Sequence, residues 1–123
     1  MNENLEKKLI EENKEFFSEE LETRISCGDG WYKVINEALQ KIRNLSKDII
    51  VLRIKEKQGA LRIYIKNLDP KNEKYGDILD IIDIAEIKSK TICEYCGSHA
   101  NFISYHGLLK TICASCLQKM EAA

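Results

Sequence analysis

The sequence has no run of about 18 consecutive apolar residues, which is the length that a membrane-spanning helix needs. The first twelve residues are polar and acidic, and they lack the apolar stretch of a secretory signal. We therefore expect no membrane-spanning segment and no export. The expected location is the cytoplasm.

An excess of charge of one sign is also lacking. The 123 residues include 19 Lys and Arg and 20 Asp and Glu, which gives a net charge of -1. No global field therefore favours nucleic acid or a membrane surface, and a local basic patch must be argued separately. The apolar share of 44% is enough for the core of one compact domain.

Recognisable catalytic patterns are missing too. The chain has no glycine-rich phosphate loop, no histidine pair at metalloprotease spacing and no nucleophile-elbow pattern. Its two histidines, His99 and His106, both lie between the cysteine pairs described next. We therefore predict that the protein is not an enzyme.

Four of the five cysteines form two pairs near the C-terminus, and Cys27 stands alone. Each pair encloses two residues, and sixteen residues separate the pairs, which is the spacing of a zinc ribbon. Two intervening residues let a tight turn aim both thiolates at one ion, and Gly97 suits the positive φ of such a turn. The spacing predicts one structural Zn²⁺ bound by four ligands: Cys93, Cys96, Cys113 and Cys116.

Other uses of these cysteines remain open. They could form two disulfides, a redox dithiol or an iron–sulfur cluster, although a reducing cytosol disfavours disulfides. His99 or His106 could replace one cysteine. A catalytic zinc site is disfavoured because four thiolates leave no coordination position open for a substrate.

The hydrophobic pattern predicts an α+β fold, with N-terminal helices packed on a small antiparallel sheet, then a helix and a C-terminal zinc ribbon. Residues 2–24 suggest one long helix or two short ones, and Asp29 is placed to cap a helix that ends near Leu45. A further helix is expected at 76–90 after a loop at 67–72, and ribbon strands at 101–105 and 108–112. We expect residues 1–90 to form the core domain and 91–123 a ribbon packed on it.

A β-hairpin is expected between residues 50 and 66, because apolar residues recur at every second position. The even-numbered apolar residues of the first strand must share a face with the odd-numbered ones of the second. That requires an even number of loop residues, two or four. The residues expected on the buried face are Ile50, Leu52, Ile54, Leu61, Ile63 and Ile65.

The opposite face of the hairpin is cationic and carries one aromatic residue. It could bind an anion, such as a phosphate, a nucleotide or an acidic partner surface, because Arg binds phosphate bidentately and Tyr can stack. It could equally be an ordinary solvated face whose Lys and Arg protect an edge strand. The candidate binding residues are Arg53, Lys55, Lys57, Arg62 and Tyr64, with Lys66 beside them.

Three other features have plainer interpretations. Cys27 has no basic neighbour that would activate it, so we expect a small buried residue. Trp31 begins an apolar stripe and is expected in the core. An acidic stripe on the 76–90 helix is expected to be solvated or to neutralise the basic hairpin, in this chain or in a neighbouring one: Asp77, Asp80, Asp83 and Glu86.

Three strings occur in a characteristic order: Gly30-Trp31-Tyr32, the hairpin string from Lys55 to Tyr64, and Cys93-Glu94-Tyr95-Cys96-Gly97. Together they resemble a group of small bacteriophage and prophage proteins with a KEKxGxLRxY hairpin and a C-terminal CxxCG zinc module. The resemblance covers about residues 28–116, and Gln58 stands where the pattern would have an aromatic residue. It implies a phage origin, the host cytoplasm as location and no known enzymatic activity.

Three functions follow as hypotheses. The first is a zinc-binding phage accessory protein that binds and inhibits a host protein, such as a component of antiviral defence. The second is nucleic-acid binding through the ribbon and the basic hairpin, which predicts strongly salt-dependent affinity. The third is capture of a phosphorylated small-molecule signal, with homo-oligomerisation.

Overall fold

The computed structural model describes residues 1–18, 25–66 and 68–123. Within these ranges the fold belongs to the α+β class, as predicted, with four α-helices and sheets of three and two strands. The elements in chain order are α1 (Glu3–Glu12), β1 (Ile25–Ser26), α2 (Tyr32–Leu45), β2 (Ile50–Lys57), β3 (Ala60–Lys66), α3 (Tyr75–Ser89), β4 (Asn101–Tyr105), β5 (Leu108–Ile112) and α4 (Ala114–Ala122).

The N-terminal segment contains one short α-helix followed by a 3-10 turn at Lys14–Phe16. Asn2 caps α1 by accepting a hydrogen bond from the Leu5 amide at 2.9 Å. The helix ends at Glu12, and the C-cap is Asn13, a buried residue whose side-chain amide donates to the Leu9 carbonyl at 2.8 Å. The rest of the predicted helical segment, at 19–24, lies outside the described residues.

Helix α2 buries the predicted apolar stripe, but the prediction that Asp29 caps it is wrong. A 3-10 turn at Asp29–Trp31 precedes the helix, and no side chain caps its first turn. The Asp29 carboxylate instead accepts hydrogen bonds from the Asn2 amide at 2.7 Å and from the Asn2 side chain at 3.0 Å. Asp29 thus joins the start of α1 to the start of α2.

The β2–β3 hairpin is confirmed, with a loop of two residues. Gln58 and Gly59 both have positive φ, 52° and 81°, as a tight type I′ turn requires. Ile54 lies opposite Ile63, and Lys55 lies opposite Arg62, so apolar and cationic residues separate onto two faces. The loop therefore has one of the two lengths, two or four residues, that the parity of the hydrophobic pattern allowed.

The predicted buried face is wrong at two positions, Ile50 and Leu52, because β2 contains a β-bulge. The pairing shifts between Val51, opposite Ile65, and Arg53, opposite Tyr64. An extra residue reverses the alternation beyond the bulge, so Val51 is buried and Leu52 is 39% exposed.

The sheet also has an edge that the sequence did not reveal. Strand β1 is only two residues long and pairs with β2 in parallel, with Ile25 opposite Ile54 and Ser26 opposite Lys55. At the other edge, the Leu61 amide of β3 donates to Ser89 Oγ of α3 at 2.9 Å. Each edge of the hairpin is therefore covered over part of its length.

One hydrophobic core joins α1, α2, α3 and the inner face of the three-stranded sheet, and Trp31 lies in it fully buried, as predicted. A second, smaller cluster is built on Cys93, Ala100 and Ile112 in the C-terminal segment. No helix among the described residues has the length and apolarity required to cross a membrane.

Candidate metal centre

The first cysteine pair lies in a tight turn after α3. The Cys93 amide donates to the Ser98 carbonyl at 2.7 Å, and the Gly97 amide donates to the Cys93 carbonyl at 2.9 Å. Gly97 has a φ of 84°, as predicted from the sequence, and residues other than glycine rarely adopt such a positive φ. This turn places Cys93 and Cys96 on the same side of the segment.

The second pair follows the β4–β5 hairpin, whose strands have the bounds expected from the sequence. His106 and Gly107 form its turn with φ angles of 49° and 82°. Strand β5 leads into Cys113, whose Sγ accepts a hydrogen bond from the Cys116 amide at 3.4 Å and so caps α4. Helix α4 was not predicted, yet it positions Cys116.

The structure brings the four paired cysteines together. Their Sγ atoms all lie within 4.8 Å of one another, and none is joined in a disulfide. His99 and His106 are exposed and are not part of this cluster. Four sulfur atoms at these distances fit tetrahedral coordination of one metal ion, with every position taken by protein.

Two thiols of the cluster have pKa values that are shifted in opposite directions. The Cys116 amide, followed by the Ser98 hydroxyl, lowers the pKa of the Cys113 thiol to about 6. Burial, followed by the neighbouring thiols, raises the pKa of Cys116 to about 12. A cation that binds all four sulfurs must displace protons, so metal affinity falls as the pH falls.

The first cysteine turn is docked on the break between β1 and α2. The Gly30 amide donates to the Glu94 carbonyl at 2.7 Å, and the Gly28 amide donates to Glu94 Oε2 at 3.0 Å. The approach requires glycine, because a Cβ on Gly30 would lie 2.0 Å from the Cys93 carbonyl oxygen. The cysteine segment is therefore held by backbone contacts to the helical part of the chain.

Two buried side chains lie beside this contact. Trp31 Nε1 donates to the Ile92 carbonyl at 2.8 Å. Cys27 is buried, as expected, and burial, followed by the nearby Glu94 carboxylate, raises the pKa of its thiol to about 12. Neither Glu94 nor the two glycines were singled out from the sequence as docking residues.

The turn of the β2–β3 hairpin makes a second contact with the cysteine segment. Thr111 Oγ1 of β5, a fully buried residue, donates to the Gly59 carbonyl at 2.7 Å. A Cβ on Gly59 would lie 2.7 Å from the Phe102 ring, so the turn fits closely against β4 and β5. The Glu94 amide donates to the Thr111 carbonyl at 3.1 Å, which connects the two contacts.

The candidate binding residues of the hairpin lie on its outer face. Arg53 pairs with Tyr64 and Lys55 with Arg62 across the strands, while Lys57 is exposed at the end of β2. Arg62 forms an ion pair with Glu86 of α3, so one member of the acidic stripe neutralises the hairpin within the chain.

Comparisons of the chain with protein-family models, with curated proteins and with solved structures gave no match.

The cluster predicts one equivalent of metal per chain. Cys113→Ser should lower the affinity for Zn²⁺ by several orders of magnitude and unfold the segment around it, because structural zinc contributes on the order of 10–16 kcal/mol. Cys27→Ala is the control, since Cys27 lies outside the cluster and should leave the stoichiometry unchanged. Elemental analysis and a competitive chelator titration measure both. Purified, reduced wild-type protein without metal would contradict the assignment.

The docking contact predicts that Gly30→Ala is destabilising by at least about 2 kcal/mol, because the new Cβ meets backbone atoms that cannot move aside. Gly76→Ala is a matched control. Gly76 is in α3 with nothing within 4 Å of a Cβ, so alanine there should stabilise by about 0.5–1 kcal/mol. Urea unfolding of the metal-loaded proteins gives both values, and equal stability of the two variants would refute the docking argument.

Proposed function

We propose that the four cysteines bind one structural Zn²⁺ and that residues 91–123 form a zinc ribbon. The convergence of four unbridged sulfurs within 4.8 Å supports this, because soft thiolates in a tetrahedral set are the usual ligands of structural zinc. The closed ligand set favours a structural role over a catalytic one. Because the cysteine segment contacts the glycine turn and the hairpin turn, the ion also stabilises the surface that surrounds them.

On this basis the protein is proposed to be a non-enzymatic, zinc-dependent binding protein. The observation that carries this proposal is the exposure of large apolar side chains on the ribbon. Leu108 is 62% exposed, and three others are about 40% exposed: Tyr95, Phe102 and Leu109. By the strand pairing, Phe102 and Leu109 share one face of the β4–β5 hairpin, and Leu108 lies on the other face next to the turn. Exposed apolar side chains concentrated on so small a module are typical of protein interaction sites.

The hairpin adds charge to this apolar surface. Phe102 and Leu109 contact the Gly59 turn, so the ribbon surface adjoins the end of the hairpin. Arg53 and Tyr64 are exposed opposite each other farther along, and Lys57 is exposed next to the turn. A protein with an acidic, partly apolar surface would complement this combination. The proposed binding residues are the ribbon residues above with Arg53, Lys55, Lys57, Arg62 and Tyr64.

The identity of the partner rests on the resemblance to phage proteins. A small phage protein without an enzymatic activity acts through what it binds, so we propose a host protein as the partner and inhibition as the result. A component of antiviral defence in the host cytoplasm is the proposed target. Nucleic acid is the second candidate, since the exposed Arg53–Tyr64 pair offers a cation beside a stacking ring.

The proposal predicts a protein that co-purifies with the zinc-loaded chain from bacterial host lysate and stays bound after nuclease treatment. Arg53→Glu and Leu108→Ser should each reduce its recovery at least about tenfold, because charged and apolar contacts both contribute to an interface. Lys71→Glu is the charge-matched control on an exposed loop outside the proposed surface and should bind normally.

The same experiment separates the alternatives. Loss of the bound material on nuclease treatment, with steep salt dependence, would replace the proposal with nucleic-acid binding. A nucleotide or other phosphorylated compound found by mass spectrometry would favour the small-molecule hypothesis. Unchanged recovery with both surface variants would reject the proposed binding surface.

A further inference from the structure

The outer face of the β1–β2–β3 sheet, which lies opposite the face that packs on the helices, concentrates positive charge. Four cations on it make no ion pair within the part of the chain that the structure describes: Arg53, Lys55, Lys57 and Lys66. Arg62 on the same face is neutralised by Glu86. Since the whole chain has a net charge of -1, this excess is local to the sheet, and an anionic ligand is its electrostatic complement.

The β-bulge in β2 changes what this face presents at the end away from the hairpin turn. Side chains alternate along a strand, so Leu52 projects outward because it follows the inward Val51, and Arg53 projects outward because it precedes the inward Ile54. Both residues are exposed although they are consecutive. The bulge therefore adds an apolar side chain to the outer face beside a cation, which a regular strand could not do.

An aromatic ring lies next to these two side chains. Tyr64 pairs with Arg53 across the strands and is 40% exposed, and Leu52 is 39% exposed. Ile50 is partly buried on the same face, opposite Lys66. This end of the sheet thus combines a ring, two aliphatic side chains and two cations. Arg and Tyr are the residue types that often dominate the energy of a protein interface, where apolar neighbours exclude water from them.

We propose that Leu52, Arg53 and Tyr64 form the main contact site for the protein partner, and that this site binds an acidic segment in which a carboxylate stands beside an aromatic or large aliphatic side chain. The carboxylate pairs with the Arg53 guanidinium, and the apolar side chain packs on Leu52 and the Tyr64 ring. Lys55 and Lys66 attract the other acidic residues of the segment. The inference rests on the proposed function, because it names the chemistry of that partner.

The apolar side chains favour such a segment over nucleic acid. Surfaces that bind single strands combine cations with several aromatic rings on which successive bases stack. Among the described residues of the outer face, Tyr64 is the only aromatic one. The other neighbours of Arg53 at this end are the aliphatic Leu52 and Ile50, which match the apolar side chains of a protein.

The first test uses short synthetic peptides and does not need the partner. A fluorescent peptide rich in glutamate and containing phenylalanines is compared with two matched peptides, one with Gln in place of every Glu and one with Ser in place of every Phe. Fluorescence anisotropy with the zinc-loaded protein should show that the first peptide binds at least about tenfold more tightly than either matched peptide. Equal affinity for all three, or no binding of the first, would overturn the proposal. Tighter binding of mixed-sequence single-stranded DNA would reassign the face to nucleic acid.

The second test removes the bulge. Deleting Leu52 joins Val51 to Arg53 and leaves the remaining strand pairs in register, so β2 becomes regular without losing a core residue. The deletion and Leu52→Ser should each weaken binding of the first peptide about fivefold, and Arg53→Gln about tenfold. Lys71→Gln on an exposed loop is the matched control and should change the affinity less than about twofold. Circular dichroism checks the fold, and Leu52→Ser decides the question if the deletion variant does not fold. Wild-type affinity of both Leu52→Ser and Arg53→Gln would reject the site.

Failure of this inference and failure of the proposed function give different results. If recovery of a host protein from lysate falls with Leu108→Ser but not with Leu52→Ser or Arg53→Gln, this site is refuted and the binding function stands. If the peptides and variants behave as expected but no host protein is recovered, the site stands and the proposed target fails.

Discussion

The close approach of two backbone segments, the Gly28–Gly30 turn and the Cys93–Glu94 turn, is the constraint on which the rest of the structure depends. Side chains cannot intervene there, since even a Cβ on either glycine would overlap the cysteine segment. The Glu94 carbonyl accepts a hydrogen bond from the Gly30 amide, and the Glu94 amide donates one to the Thr111 carbonyl. Backbone hydrogen bonds therefore set the position of the four-cysteine segment relative to the helices and the hairpin.

This arrangement gives a physical meaning to the three strings singled out in the sequence. Gly30-Trp31, the hairpin turn and Cys93-Glu94 are distant in sequence but meet around the docked cysteine segment. Glu56 belongs to the same region, because its carboxylate accepts a hydrogen bond from the Gly59 amide at 2.7 Å. Packing explains these positions without a ligand. It does not account for the exposed Tyr64, which belongs to the proposed binding surface.

Sequence patterns predicted those elements whose signal is local. The alternation of apolar residues and the residues at the turns predicted both hairpins. Apolar residues of paired strands share a face only when the loop has an even number of residues, and a two-residue turn needs residues that adopt positive φ. The bulge at Leu52 was missed, since the pattern Ile-Val-Leu has no polar residue to mark a change of face. Strand β1 is too short to show a period, and the partner of Asp29 is 27 residues away. These features depend on tertiary contacts that no sequence window contains.

The composition of residues 91–123 explains why the proposed interaction surface can stay exposed. Its own buried cluster contains only Cys93, Ala100 and Ile112, so burial of apolar area supplies little of its folding free energy. The proposed Zn²⁺ supplies that energy instead. Leu108 and Leu109 are then not required in a core and can remain on the surface. A larger domain would bury such leucines in its core. A module stabilised by the proposed metal can thus expose apolar side chains at little cost to its own stability, and the docking contacts hold them beside the cationic hairpin.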